Sequence, residues 1–347
     1  MAAGLLVRFR PNGPWRAGPD SGRRDRVDLI YHSDSLYSAV TSAMGRLGML
    51  DEWIAATAAN ESGNSGVRFS SCYPSHKGTL FIVPPQSHWP PPESAKVRFK
   101  RARFVPLKLV RDLLSDKPIE EDHWHADGES ECLIPLERRY TGGPMRKAMR
   151  TSAAVDRLDC GRVEPHATAC LEFAPDAGLW MVVAFSGDDA KARWSGPVQG
   201  ALRLLADSGF GGERSRGWGR TEMPEFTEGD LPGMLWKARQ ETEAVEDAPP
   251  QEQAYWLLSA YIPAESDTVD WKRGSYGTFE RSGRIESATS WGGGLKLTSP
   301  MVTEGSVLFA DSEPRGVAKN VAPAGCPHPV FRAGFALTIP IPWRRAL

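Results

Sequence analysis

The chain has no cysteine pair at metal-ligating or redox spacing. Its cysteines, Cys72, Cys132, Cys160, Cys170 and Cys326, are scattered and odd in number. That excludes a disulfide framework and a zinc knuckle, and it fits a reducing compartment. No apolar run approaches about 18 residues, so no membrane-spanning helix is expected. The first residues lack the charged-then-apolar pattern of a secretory signal, and a cytoplasmic protein is expected. Charge of one sign is not in excess either. With 42 Lys and Arg against 43 Asp and Glu, the net charge is −1, which argues against a protein that coats nucleic acid nonspecifically. Any nucleic-acid surface must be local. Cofactor signatures are also missing. Gly212 through Gly217 is not followed by Lys-Ser/Thr, so there is no P-loop, and these glycines follow a helix pattern where a dinucleotide fingerprint would follow a strand. His123 and His125 flank Trp124 without a third ligand at a suitable spacing beyond a possible Cys132, so a solvated loop is expected and no metal or cofactor.

What the chain does have is concentrated between Gly209 and Arg220: Gly-Phe-Gly-Gly-Glu-Arg-Ser-Arg-Gly-Trp-Gly-Arg. Glycine takes positive φ and lets another backbone come close. Arginine supplies a planar, permanently charged fork suited to phosphate. Backbone N–H groups between such arginines make an anion cradle, which points to a phosphate-rich ligand, with nucleic acid the first candidate. Arg214, Arg216 and Arg220, with Ser215, supply the polar side chains, and Gly211, Gly212, Gly217 and Gly219 the close backbone. Trp218 either stacks on a base or fills the core under the loop.

The 347 residues allow two domains. Gly4–Arg10 reads as a first strand. Residues 11–28 read as a loop of Pro, Gly, Asp and Arg. Ser33 or Asp34 caps a helix running to about Leu47, with Leu36, Val40 and Leu47 on one face. Phe69–Tyr73 and Thr79–Val83 are short strands. Lys96–Arg103 alternates basic and apolar residues as a strand with one basic face. Residues 116–131 form an exposed acidic insert. Arg138–Arg150 is basic again, with Gly142-Gly143-Pro144 as the tip of a protruding hairpin. Ala167–Ala174 and Leu179–Phe185 are strands, Pro197–Ser208 a helix, and a strand lies near Thr221–Phe226. This order is compatible with a ferredoxin-like βαββαβ domain carrying a large insertion. Glu241–Gln253 is a charged linker, and Tyr255–Ile262, Ser282–Thr289, Ser306–Phe309 and Phe335–Ile341 are strands of a second α+β domain.

The pairing of His32-Ser33-Asp34-Ser35-Leu36-Tyr37-Ser38-Ala39 with the glycine loop resembles the RAMP superfamily of CRISPR effector proteins. More narrowly, the chain resembles the fourth-subunit family of the type III-A Csm complex. Cys72-Tyr73-Pro74, Leu80–Pro85, Val97–Pro106, Arg150 through Asp156-Arg157, and Ala333–Pro342 carry that narrower likeness in order. The insert at 116–131, and Leu158-Asp159-Cys160-Gly161 in place of a threonine-glycine, depart from it.

The resemblance implies an α+β fold of two tandem ferredoxin-like domains: residues 1–230 with a thumb hairpin and insert at about 96–150, a linker at 231–253, and residues 254–347. It implies a non-catalytic RNA-binding subunit that holds the 5′ tag of the guide RNA (crRNA). Expected partners are the large polymerase-like subunit and the backbone subunit, with target RNA contacted indirectly and no membrane. The glycine loop then cradles the RNA, and His32, Ser33, Asp34 and Ser35 contact the tag from the other side. Arg139, Tyr140, Arg146, Lys147 and Arg150 on the hairpin mark the tag–guide boundary. The rival reading is a RAMP endoribonuclease that processes precursor guide RNA with His32 as acid or base. A third is a type III-B counterpart or a scaffold touching mainly protein.

Overall fold

The computed structural model describes residues 2–18, 23–59, 65–91, 99, 101–139, 141–155, 161–235, 252–285 and 293–343. Its central sheet grows from β1 (Ala2–Phe9), whose residues Leu5, Val7 and Phe9 are fully buried. β2 (Val67–Phe69), β3 (Tyr73–His76), β4 (Thr79–Ile82) and β5 (Val105–Pro106) follow. After an excursion described below come β10 (Ala177–Phe185) and β11 (Glu225–Leu231). The strand order is β11-β1-β10-β3-β4-β5, with β2 also on β10. Every pairing is antiparallel, as in Leu6 opposite Val182 on one side and Thr227 on the other. All nine residues of β10 are buried, as a central strand covered on both faces must be.

Helix α1 (Ser33–Arg46) buries Leu36, Tyr37, Val40, Ala43 and Met44, one face at helical spacing. It continues into α2 (Leu50–Ala56) and packs against α4 (Asp188–Ser208). The order β1, α1, β3, β10, α4, β11 with β11-β1-β10-β3 in the sheet is the ferredoxin-like βαββαβ arrangement. α4 begins nine residues before the expected start, with Pro197 inside it. An interior proline costs a helix about 3 kcal/mol. Trp194, buried edge-on against Trp53 at 5.3 Å, anchors the first half of the helix and offsets that loss.

The excursion between β5 and β10 holds α3 (Leu107–Leu114), a small hairpin of β6 (Trp124–Ala126) and β7 (Leu133–Pro135), and a long one of β8 (Met145–Val155) and β9 (Val163–Phe173). The acidic insert, expected to be exposed, is so for half of its residues, and Ser130 at its end is fully buried. The long hairpin is displaced from its expected position. Gly142–Pro144 is its base: the Ala174 N–H donates to the Pro144 carbonyl at 2.9 Å, and a Cβ on Gly143 would meet Ser130 Oγ at 2.0 Å. From there the two strands pair over eleven residues each, out to Val155 opposite Val163.

The C-terminal half contributes β12 (Gln253–Leu257), β13 (Thr278–Arg281), β14 (Ser299–Val302), β15 (Val307–Leu308), β16 (Ala318–Asn320), β17 (Phe331–Ala333) and β18 (Thr338–Pro342). β15-β12-β18 form one sheet, and β13–β14 and β16–β17 are separate pairs. The regular elements among its described residues are all strands. Trp256, Leu258, Phe335, Leu337 and Ile339 join the same core as Leu36, Tyr37 and Phe69, so the two halves share apolar packing. Most of the expected linker, and half of the basic strand expected at 96–103, lie outside the described residues; residues 101–103 are not in a strand.

Candidate nucleic-acid interface

The glycine loop joins α4 to β11, and its two ends cross. Gly209 and Gly219 both have positive φ, at 82° and 77°. A Cβ on Gly209 would lie 2.4 Å from the Trp218 carbonyl oxygen, and one on Gly219 would lie 2.1 Å from that of Phe210. Only glycine fits either position. Phe210 plugs the crossing, with its ring 4.3 Å from Trp15, 5.3 Å from Phe9 and 5.4 Å from Tyr31. Trp218 is 8% exposed. Of its two readings the core-filling one holds.

At the crest, Arg214, Ser215 and Arg216 form a single exposed 3-10 turn, and Arg220 is exposed beyond it. Glu213 pairs with Arg216 at 3.3 Å. The expected backbone cradle is corrected at three glycines. The Gly212 N–H donates to the Arg16 carbonyl at 2.8 Å, Gly217 to Arg214 at 2.9 Å and Gly219 to Pro14 at 2.9 Å. Those N–H groups are spent on holding the loop, so anion recognition falls to the side chains at the crest.

Arg16, which no sequence pattern singled out, ties this loop to the hairpin. Its side chain is 6% exposed. Its guanidinium donates to the carbonyls of Arg23 at 2.9 Å, Arg24 at 3.1 Å and Ala169, on β9, at 2.6 Å. Burial pulls its pKa below the ordinary arginine value, partly countered by Glu213. Next to it, Trp15 and Leu171 exchange backbone hydrogen bonds of 3.0 and 2.7 Å. On the hairpin itself, Arg146 and Arg150 both bond Glu172, and Lys147 reaches Glu131 at 3.0 Å. Glu172 is held below the usual carboxylate range by its bond from Arg146, against a burial contribution. Arg139 is exposed, and Tyr140 lies outside the described residues.

The corner at His32 is a correction. His32, Ser33 and Asp34 are 5%, 5% and 4% exposed, and their polar groups are bonded to residues of both halves of the chain. His32 Nδ1 is 2.8 Å from Glu304 and Nε2 is 3.2 Å from Asp28. Burial alone would push this imidazole down, but the facing Glu304 carboxylate and the bonds that the ring donates to both acids raise it to about 9. It is an imidazolium at neutral pH. Ser33 Oγ accepts from the Ala260 N–H at 3.0 Å, and its own N–H donates to Ser71 Oγ at 2.8 Å. Asp34 receives Arg281 at 2.9 and 3.1 Å and Arg332 at 2.5 Å. Burial opposes its charge, yet the two guanidiniums hold it well below the carboxylate range. Ser35, half-buried, accepts from Arg281 at 2.8 Å. These residues lock the N-terminal half to the C-terminal half and present no open polar face to an RNA.

Among the described residues no group of three or more His, Cys, Asp or Glu could hold a metal ion, and no helix is long and apolar enough to cross a membrane. Cys72 and Cys132 are fully buried, which pushes both thiols well above their ordinary range.

The fold, the arginine-crested glycine loop and the long hairpin define an α+β protein whose N-terminal sheet has the ferredoxin-like order. Residues 250–341 match the family of the CRISPR Csm4 C-terminal domain. That match is confined to the C-terminal part of the 347-residue chain. No curated protein matches it. Among solved structures, a chain of the Csm3–Csm4 subcomplex of the type III-A CRISPR-Cas interference complex is similar, with 16% identity, a TM-score of 0.63, and coverage of 98% of this chain and 99% of that one. Chains from the Csm1–Csm4 cassette with cA4 and with pppApA give TM-scores of 0.57 and 0.55, each at 17% identity and covering 99% of both chains. At these identities the likeness is one of fold.

Proposed function

We propose that this chain is a non-catalytic RNA-binding subunit of a type III-A CRISPR interference complex. It holds the 5′ tag of the guide RNA and links the large polymerase-like subunit to the backbone filament in the cytoplasm. The observation that carries this reading is the Csm4 C-terminal domain at residues 250–341. The end-to-end fold likeness to chains crystallised as Csm3–Csm4 and Csm1–Csm4 assemblies supports the two protein partners. Arg214, Arg216 and Arg220 at the exposed crest, with Arg146, Lys147 and Arg150 on the hairpin, supply local cations on a chain of net charge −1. That suits a subunit shared between RNA and protein neighbours. The buried, ion-paired His32 weighs against the endoribonuclease alternative, because a general acid or base must reach the 2′-hydroxyl it serves.

The test is to co-express the chain with the neighbouring subunits of its complex, purify through a tag on it, and sequence the ends of the bound RNA. A single defined 5′ end is expected. Repeat RNA cut by the isolated chain would overturn the non-catalytic reading.

A further inference from the structure

A groove of about 290 Å³ lies between the 23–27 segment and the base of the β8–β9 hairpin. Arg26 and Val27 line it from the segment, Lys147 and Met149 from β8, and Ala169 from β9. The expected RNA contacts include Lys147, but the Arg23-Arg24-Asp25-Arg26 run has no role in that reading.

The groove is a built feature. Ala169 donates its N–H to the Arg24 carbonyl at 2.8 Å, and Asp28 donates to Ala17 at 3.0 Å. The buried Arg16 guanidinium bonds the carbonyls of Arg23, Arg24 and Ala169, which fixes the segment against β9. The Arg16 carbonyl also holds Gly212, so the same residue sets the groove in register with the glycine loop.

Its chemistry is two cations with apolar walls. Arg26 comes from the segment and Lys147 from the hairpin, and Met149, 50% exposed, stands beside Lys147 with Val27 across from it. One acid lines the groove, Asp25, and both of its oxygens are taken by Arg23 at 3.0 and 2.7 Å. Lys147 also pairs with Glu131 at 3.0 Å, with the two side chains 45% and 32% exposed. Such exposed pairs are worth only ~0.2–1 kcal/mol and exchange readily for a phosphate. The volume is at the small end for ligand pockets, about 300 Å³ upward, so it suits one nucleotide and not a longer segment.

We propose that this groove is a nucleotide subsite on the RNA path, with one phosphate between Arg26 and Lys147 and its base against Met149 and Val27. Arg16 is the positioning residue that holds the wall in place. The proposal rests on the RNA-binding reading above and deepens it.

The test uses the assembled, tag-purified complex and its own bound RNA. With Arg26→Ala plus Lys147→Ala, a hydroxyl-radical footprint loses protection at one nucleotide and keeps the rest. The log–log salt dependence of RNA binding falls by about 0.7, the value for one single-strand phosphate. An unaltered footprint and salt slope in a normally assembled variant would overturn the subsite while leaving the RNA-binding role standing. A wild-type complex in which this chain protects no RNA would overturn both.

A second measurement does not depend on the double variant assembling. Met149 is replaced by a photocrosslinking phenylalanine analogue in the otherwise wild-type chain. An RNA adduct confined to one nucleotide supports the subsite. An adduct formed only with a neighbouring protein subunit shows that the groove takes protein, and the proposal fails.

Discussion

His32 illustrates how a residue chosen for chemistry serves architecture. It sits between Asp28 and Glu304, its ring 4.9 Å from Phe279, with the Arg281 charge close enough to oppose its protonation. Glu304 also accepts from Ser71, so one buried carboxylate gathers two groups from the N-terminal half. A buried charge is tolerated only with partners, and removing one partner is costly. The consequence for pH is signed. The folded pKa of His32, raised to about 9, exceeds the unfolded value near 6.5, so folding binds a proton. Its contribution is fully present below pH 6.5 and is lost as pH rises through 9. The size is of order 3 kcal/mol, at ~1.4 kcal/mol per pH unit between the two values. Unfolding free energies measured from pH 6 to 10 should therefore decline for the wild type. They should be lower and nearly flat for His32→Gln. Parallel curves for the two proteins would show that this imidazole is not the group that titrates.

At the level of elements, the glycine loop separates two kinds of glycine. Gly217 and Gly219 have nearly the same positive φ, 78° and 77°. A Cβ on Gly217 would meet nothing within 4 Å, whereas on Gly219 it would strike the Phe210 carbonyl oxygen. Gly217→Ala should cost only the backbone penalty, roughly 1 kcal/mol. Gly219→Ala must also reopen the crossing, and should cost at least ~2 kcal/mol more and weaken RNA retention. Equal melting temperatures for the two variants would refute the crossing as the source of the loop's shape. This loop was legible in the sequence because its requirement is local: glycine where backbone meets backbone. So was α1, from its one apolar face; Ser33 and Asp34, expected as its cap, lie inside the helix, and His32 stands at the N-cap with no side-chain capping bond. The hairpin was misplaced because Met145–Val155 is rich in Arg, Lys, Ser and Thr and gives little period-two contrast, while Gly142-Gly143-Pro144 punctuates strongly at its base. The start of α4 was hidden by Pro197, an interior breaker overridden by the burial of Trp194. The partners of Asp34 lie 247 and 298 residues away, at Arg281 and Arg332. No local pattern carries pairings of that range, so a buried ionic lock read as an exposed contact.

For the whole molecule, a net charge of −1 leaves no general attraction for RNA, so the RNA binding proposed above would have to come from a few placed cations. The buried ones are committed to the fold: Arg16 to backbone carbonyls, Arg281 and Arg332 to Asp34. The crest arginines are exposed, on a loop whose backbone is already bonded internally, so removing their side chains should leave the fold unaltered. Arg214→Ala plus Arg216→Ala should keep the wild-type melting temperature and still assemble with protein partners. It should bind guide RNA more weakly, with a log–log salt slope shallower by about 1.4 if each arginine neutralises one single-strand phosphate. The salt slope is the deciding quantity, because a distorted loop would weaken binding at every salt concentration without altering the slope. Weaker binding with a wild-type slope would mean that the loop acts through shape or through a protein neighbour. The RNA contacts would then belong to the hairpin and the groove at its base.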